Sequence, residues 1–196
     1  RQGTGWTVAE GDESDGSLLK LPATIAVVTN IDHDHHSAFA SRAEVEELFS
    51  AWLDGSAAGA TVIHGREVTL GAHVSLAVLG EHNRQNAACA VEALVSAGFE
   101  REAVEEAVAG FTGVARRLEA HGVAGGVALY DDYAHHPTEV EATLHTARAL
   151  LEGDGRLIAL FQPHLYSRTA HMAYEFGAAL AEADAVCVTE IYPARE

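Results

Sequence analysis

The chain is 196 residues long, 48% hydrophobic and 21% charged, apolar enough to bury a core and to exclude an intrinsically disordered chain. Lys and Arg number 12 against 29 Asp and Glu, a formal charge of −17 that argues against nucleic acid or an anionic membrane as the main partner. No apolar run approaches the roughly 20 residues of a membrane span. No basic-then-apolar segment opens the chain, and Cys89 and Cys187 sit in apolar runs, so both read as buried thiols in a reducing, cytoplasmic setting.

In chain order, "WTVAE" (Trp6–Glu10) predicts a short strand ending in an acid, and "GDESDGS" carries turn chemistry. "TIAVVTN" (Thr24–Asn30) reads as a strand buried on both faces, with "IDHDHHS" as the polar loop at its C-terminal end. Ser41 caps a helix through about Leu53, with Val45, Leu48, Phe49 and Trp52 at helical spacing. From Asp54 to Val78 short strands with glycine turns are expected. "GEHNRQNAACAVEALVSAGF" predicts a strong helix stopped by Gly98, and a second helix spans about Arg101 to Ala109. A domain boundary is expected near Arg117. Beyond it "GVALYDD", "RLIALFQ" and "AVCVTEI" predict strands, alternating with helices over Pro137–Leu151 and Thr169–Ala183. That alternation implies a parallel sheet with right-handed crossovers.

Three polar loops, "IDHDHH", "DDYAHHPTE" and "QPHLYSR", thus follow strands, at the edge where open α/β sheets hold ligands. His33, His35 and His36 could form a zinc or two-metal hydrolase site. They could equally supply one histidine to magnesium, or belong to a ligand-free surface loop. Glu10 could lend a carboxylate to the same ion, as hard divalent cations prefer oxygen donors. At the start of its helix Asn83 could cap, or Asn83 and Asn86 could together read a purine edge. Arg168 could grip a carboxylate or phosphate through both arms of its guanidinium, or form an ion pair with one of the many acids. Neither a phosphate-binding GxxxxGK[ST] loop nor a GxGxxG fingerprint occurs; "GVAGG" (Gly122–Gly126) is too short a signal, and Lys20 is the single lysine.

Laid in order, "AEGDESDGSLLKL", "IAVVTNIDHDH", "GEHNRQNA", "DDYAHHPTEVEATL", "FQPHLYSRT" and "TEIYPA" make the chain resemble the Mur ligases, over almost its whole length. The last two motifs favour the alanine-adding branch. The resemblance implies an α/β protein with a partial central P-loop-type ATPase domain (1–117) whose phosphate loop is absent. A Rossmann-like parallel-sheet C-terminal domain (118–196), cut short at its end, would follow. It implies a longer parent enzyme, with this piece inactive alone, that joins UDP-N-acetylmuramate to L-alanine through an acyl phosphate using ATP and magnesium. Glu10 and His35 would be the magnesium ligands. His82, Asn83, Asn86 and Asp132 would bind ATP, while Tyr133, His135 and Arg168 would face the substrates, with His135 and Arg168 catalytic and His136 fixing the loop. The chain departs from the family pattern in Leu165, where many relatives carry Arg, and in His33 and His36. It has no lysine after Lys20, with Glu47 in the region where the carbamylated lysine of several family members would be sought, and the segment between His35 and His82 is short. The alternatives are a metal-dependent hydrolase using His33, His35 and His36, and a non-catalytic nucleotide-binding relative.

Overall fold

In the computed structural model, which describes residues 5–35 and 38–194, β1 (Ile25–Val28) pairs in parallel with β2 (Thr61–His64), from Ile25 opposite Thr61 to Val28 opposite His64. Between them runs α1 (Arg42–Asp54), whose N-cap Ser41 accepts the backbone N–H of Glu44 as the sequence predicts. The helix α2 (Glu81–Ser96) packs on both strands through buried Ala87, Ala88, Cys89 and Val91, and α3 (Arg101–Ala109) packs on α2.

The second half opens with an antiparallel hairpin, β3 (Glu119–Ala124) and β4 (Val127–Asp131). Next come α4 (Pro137–Ala149), β5 (Ile158–Phe161), α5 (Tyr166–His171), α6 (Ala173–Leu180) and β6 (Ala185–Val188). β5 and β6 are parallel, Ile158 opposite Ala185 and Phe161 opposite Val188. Val140 and Leu144 of α4, Ala159 and Phe161 of β5, and Phe176, Ala179 and Leu180 of α6 form one apolar core. Phe161 and Phe176 meet with ring centroids 5.2 Å apart. The class is α/β with parallel strand pairs, as expected.

Several local expectations change. Trp6–Glu10 forms no strand and Val8 is 95% exposed: no described strand lies beside the segment to take its backbone hydrogen bonds. β1 buries Ala26 and Val28 but exposes Val27: α2 packs on the strand, while β2 lies beside it in the sheet and covers neither face. "GVALYDD" does not open a parallel sheet. It is folded back on β3 by a two-residue turn in which Gly125 (φ 58°) and Gly126 (φ 82°) take the positive φ values that hairpin turns of matching twist require. The single helix expected over 169–183 is two, starting at Tyr166 and broken at Met172. Cys89 is buried and its thiol pKa pushed up by burial, but Cys187 is exposed. The cap of α2 is Gly80, at φ 98°, and not Asn83, whose side-chain amide donates back to the Leu79 carbonyl at 2.6 Å. No helix among the described residues is long and apolar enough to cross a membrane.

Candidate active site at the strand ends

Three loops that sequence reasoning singled out meet in the tertiary structure. After β1 the chain turns sharply at Asp34, whose Oδ1 accepts the backbone N–H of His35 at 2.7 Å. His35 takes φ 52°, a left-handed conformation uncommon for a residue with a Cβ. Its Nε2 then lies 3.4 Å from the Glu13 Oε1 and 3.9 Å from the Asp34 Oδ2, so Glu13 and Asp34 are the carboxylates beside the candidate metal histidine in this geometry, where the sequence points to Glu10. Glu10 is exposed. The hydrogen bond with Glu13 raises the His35 pKa against the opposing effect of burial, and lowers that of Glu13. His33 Nε2 lies 3.1 Å from the Phe39 carbonyl, and His36, the third histidine of the expected cluster, falls outside the described residues. Among the described residues no three His, Cys, Asp or Glu side chains gather as a metal-holding group.

The loop after β4 is built by its own polar side chains. Asp132 accepts the N–H of Ala134 with Oδ1 and that of Leu118 with Oδ2, both at 2.7 Å, which pins this loop to the segment before β3. Tyr133 donates its N–H to the Arg116 carbonyl at 2.8 Å, and the Arg116 guanidinium lies 4.4 Å over the Tyr133 ring. The His135 ring sits edge-on to Tyr133, centroids 5.2 Å apart, and its Nδ1 lies 2.9 Å from the Tyr133 carbonyl. A carbonyl only accepts, so Nδ1 carries the proton and the Nε2 of a neutral His135 is an acceptor.

His136 has the opposite arrangement. It is the N-cap of α4, and its Nδ1 accepts the N–H of Thr138 at 3.3 Å, so its proton is on Nε2, which is buried with no hydrogen-bond partner among the described residues. Glu139 completes a reciprocal cap by accepting the N–H of His135 at 2.9 Å and of His136 at 3.2 Å. Burial raises the Glu139 pKa, but these donors and the neighbouring His135 and Arg117 outweigh it and hold the carboxyl below the usual range. Sequence reasoning missed Glu139, and the signal available was the acid three places after His136 in "HPTE".

After β5, His164 stacks on Tyr192, centroids 5.7 Å apart, and faces the His135 ring edge-on at 6.0 Å. Leu165, at φ 70°, then turns the chain into α5 and aims Arg168 inward. The arginine does grip a carboxylate with both arms, but the carboxylate is Asp34, the ion-pair alternative. Nε to Oδ1 is 2.9 Å and Nη2 to Oδ2 is 2.8 Å, while Nη1 lies 3.1 Å from His164 Nδ1. The Arg168 side chain is 5% exposed and that of Asp34 19%. Burial alone would raise the Asp34 carboxyl; hydrogen bonds from Arg168 and from the His35 N–H overcome it and bring the pKa to about 2. A run of contacts thus links Glu13, His35, Asp34, Arg168, His164, His135, Tyr133 and Arg116.

The ATP-binding candidates divide. His82 stands on the first turn of α2, close enough to Asp132 and Arg117 to feel their charges, while burial lowers its pKa. Asn83 spends its amide nitrogen on Leu79, and Asn86 is exposed on the following turn.

Residues 116–196 match the family model described as Mur ligase, glutamate ligase domain. UDP-N-acetylmuramate--L-alanine ligase of Mycolicibacterium smegmatis is 40% identical over 248 residues, covering 99% of this chain and 51% of that protein. The protein of the same name from Kineococcus radiotolerans is 41% identical, covering 100% and 51%. The chain therefore spans about half the length of the curated relatives it matches. Among solved structures, UDP-N-acetylmuramate-alanine ligase from Thermotoga maritima superposes with a TM-score of 0.70 at 26% identity, over 92% of this chain and 49% of that one. A folylpolyglutamate synthase of Mycobacterium tuberculosis complexed with ADP shares the fold, with a TM-score of 0.59 at 19% identity over 89% of this chain and 50% of that one.

Proposed function

The chain belongs to the Mur ligase family, and from that premise we propose that it is the later part of an enzyme joining the lactyl carboxylate of UDP-N-acetylmuramate to the amine of L-alanine in peptidoglycan synthesis. We divide it at residue 117 into a portion of the central ATP-binding domain and a portion of the C-terminal domain. The reading is carried by the Asp34–Arg168 contact, which brings the loop of the candidate metal histidine to the loops of the candidate substrate residues. The names of the curated relatives support it.

In the proposed reaction a carboxylate oxygen takes the γ-phosphoryl group of ATP, ADP leaving, to give an acyl phosphate. The alanine nitrogen then bonds to the acyl carbon, phosphate leaves, and the amine proton passes to a base. Such chemistry rests on positioning and on offsetting negative charge. Magnesium would be held by the His35 imidazole and, by the motif resemblance, the Glu10 carboxylate, with Glu13 as the ion-pair partner of His35, and would supply part of that offset. So few protein donors fit an ion that keeps water and phosphate oxygens around it. His82, Asn83 and Asn86 meet adenine, Asn83 through the side-chain oxygen that Leu79 leaves unused. Each Asp132 oxygen accepts one backbone N–H and keeps a lone pair for a ribose hydroxyl. His135 holds Nε2 as an acceptor, the state needed to receive a proton from the attacking amine. Tyr133 orients His135, and Arg168 adds positive charge through the donors not engaged by Asp34.

The test is phosphate release by the full-length protein with ATP, magnesium, UDP-N-acetylmuramate and L-alanine, omitting each in turn. Release should need all four and fall by about a hundredfold or more in His135→Ala. Release indifferent to L-alanine would overturn the reading.

A further inference from the structure

We propose that Asp34 is a positioning residue of this site, acting through Arg168: one carboxylate sets both the backbone that presents His35 and the orientation of the guanidinium beside His164. The inference rests on the reading of Arg168 as a substrate-facing residue.

The Asp34 carboxylate does two things at once. Its Oδ1 accepts the His35 N–H at 2.7 Å, inside the loop where His35 adopts φ 52°. The same oxygen and its partner accept from Arg168 Nε and Nη2 at 2.9 and 2.8 Å, across 134 positions of sequence. Two parallel hydrogen bonds fix the plane of a guanidinium as well as its distance. With that plane fixed, Nη1 lies 3.1 Å from His164 Nδ1. Arg168 has no proton acceptor of its own, so this contact makes His164 Nδ1 the acceptor and leaves its proton on Nε2. Asp34 therefore sets, at one remove, which nitrogen of His164 donates.

An exposed ion pair with this geometry would carry little weight. Here the Arg168 side chain is 5% exposed and that of Asp34 19%, so the guanidinium has almost no water as a substitute partner and the carboxylate only a little. Both flanks are also held in unusual backbone conformations, His35 at φ 52° and Leu165 at φ 70°. Side chains with a Cβ keep such conformations only where surrounding contacts over-determine them. Lysine could supply the charge but not the two parallel bonds, so arginine is specifically required.

The experiment is a double-mutant cycle in the full-length protein, with Asp34→Asn, Asp34→Glu, Arg168→Lys and the Asp34→Asn/Arg168→Lys pair. The readouts are kcat, the KM values of UDP-N-acetylmuramate and L-alanine, and thermal midpoints of the apo protein. Asp34→Asn should raise at least one KM by about tenfold, Asp34→Glu should restore part of the loss, and the double variant should be no worse than Arg168→Lys alone, because both act on one unit. Additive losses would overturn the inference, as would an Asp34→Asn variant that lowers the thermal midpoint while leaving both KM values unchanged. Arg168→Lys separates the two layers. If it raises KM and Asp34→Asn does not, the role of Asp34 fails while that of Arg168 stands. If Arg168→Lys changes no KM, the assignment of Arg168 to substrate fails and the inference falls with it. Should Asp34→Asn not fold, Asp34→Glu read in the same cycle against Arg168→Lys decides.

Discussion

The Glu139 carboxylate accepts the backbone N–H of His135 at 2.9 Å, so the residue that closes the cap of α4 also holds the histidine that faces the candidate site. The Glu139 carboxyl is held below its ordinary 4.5 in the folded protein. A depressed carboxyl contributes stability that is present above its unfolded pKa and is lost as pH falls through the folded one. Thermal midpoints measured from pH 6 downward should therefore fall more steeply for the native chain than for Glu139→Gln. At pH 7 Glu139→Ala should destabilise by about 1 kcal/mol, the usual scale of a lost cap. Equal acid slopes in the two proteins would remove Glu139 from this role.

His135 and His136 are neighbours that hold their protons on opposite nitrogens: Nδ1 in His135, which donates to the Tyr133 carbonyl, and Nε2 in His136, whose Nδ1 accepts from Thr138. Long-range nitrogen–proton correlation spectra distinguish the two tautomers. At a pH where both rings are neutral, one of each is expected. Two Nδ1–H tautomers would contradict the cap at His136, and two Nε2–H tautomers would contradict the acceptor role of His135 Nε2. Asparagine is a good N-cap, so His136→Asn should keep more stability than His136→Ala, by about 1 kcal/mol in urea unfolding.

Magnesium separates Glu10 from Glu13. Chelation with EDTA should abolish phosphate release by the full-length protein. His35→Asn and Glu10→Gln should each raise the magnesium needed for half-maximal rate by about tenfold, and Glu13→Gln by less, because its carboxylate is the ion-pair partner of His35. If Glu13→Gln matches His35→Asn and Glu10→Gln does nothing, the carboxylate ligand is Glu13.

The β3–β4 turn offers a stability test away from the site. Gly126 sits at φ 82°, where a Cβ is strained, and nothing lies within 4 Å of the position that Cβ would take. The cost of Gly126→Ala is therefore one of backbone conformation, about 1 kcal/mol in urea unfolding. Gly125→Asn, at φ 58°, should be tolerated within about half of that, since Asn is a favoured residue in such turns. A larger loss for Gly125→Asn than for Gly126→Ala would mean that the hairpin turn is of another kind.

What sequence by itself determined is what neighbours along the chain decide. Ser41 starts α1, Pro137 opens α4, and α3 spans Arg101–Ala109 as expected, because caps, proline and helical spacing act within a turn or two. The loops after β1, β4 and β5 were legible for the same reason: polar residues follow apolar strand-forming runs, although β4 turns out to be exposed. Tertiary structure alone decided what lies between distant residues. β3 was unreadable because "EAHGVA" has little strand preference, and its pairing comes from β4 across the glycine turn. Trp6–Glu10 had the composition of a strand and no described partner. That Glu13 would be the ion-pair partner of His35 was not legible, because the backbone turn at His35 brings the two together. In an acidic chain many carboxylates compete for Arg168. Asp34 does so because the folds of both halves bring it there and burial makes the pairing obligatory.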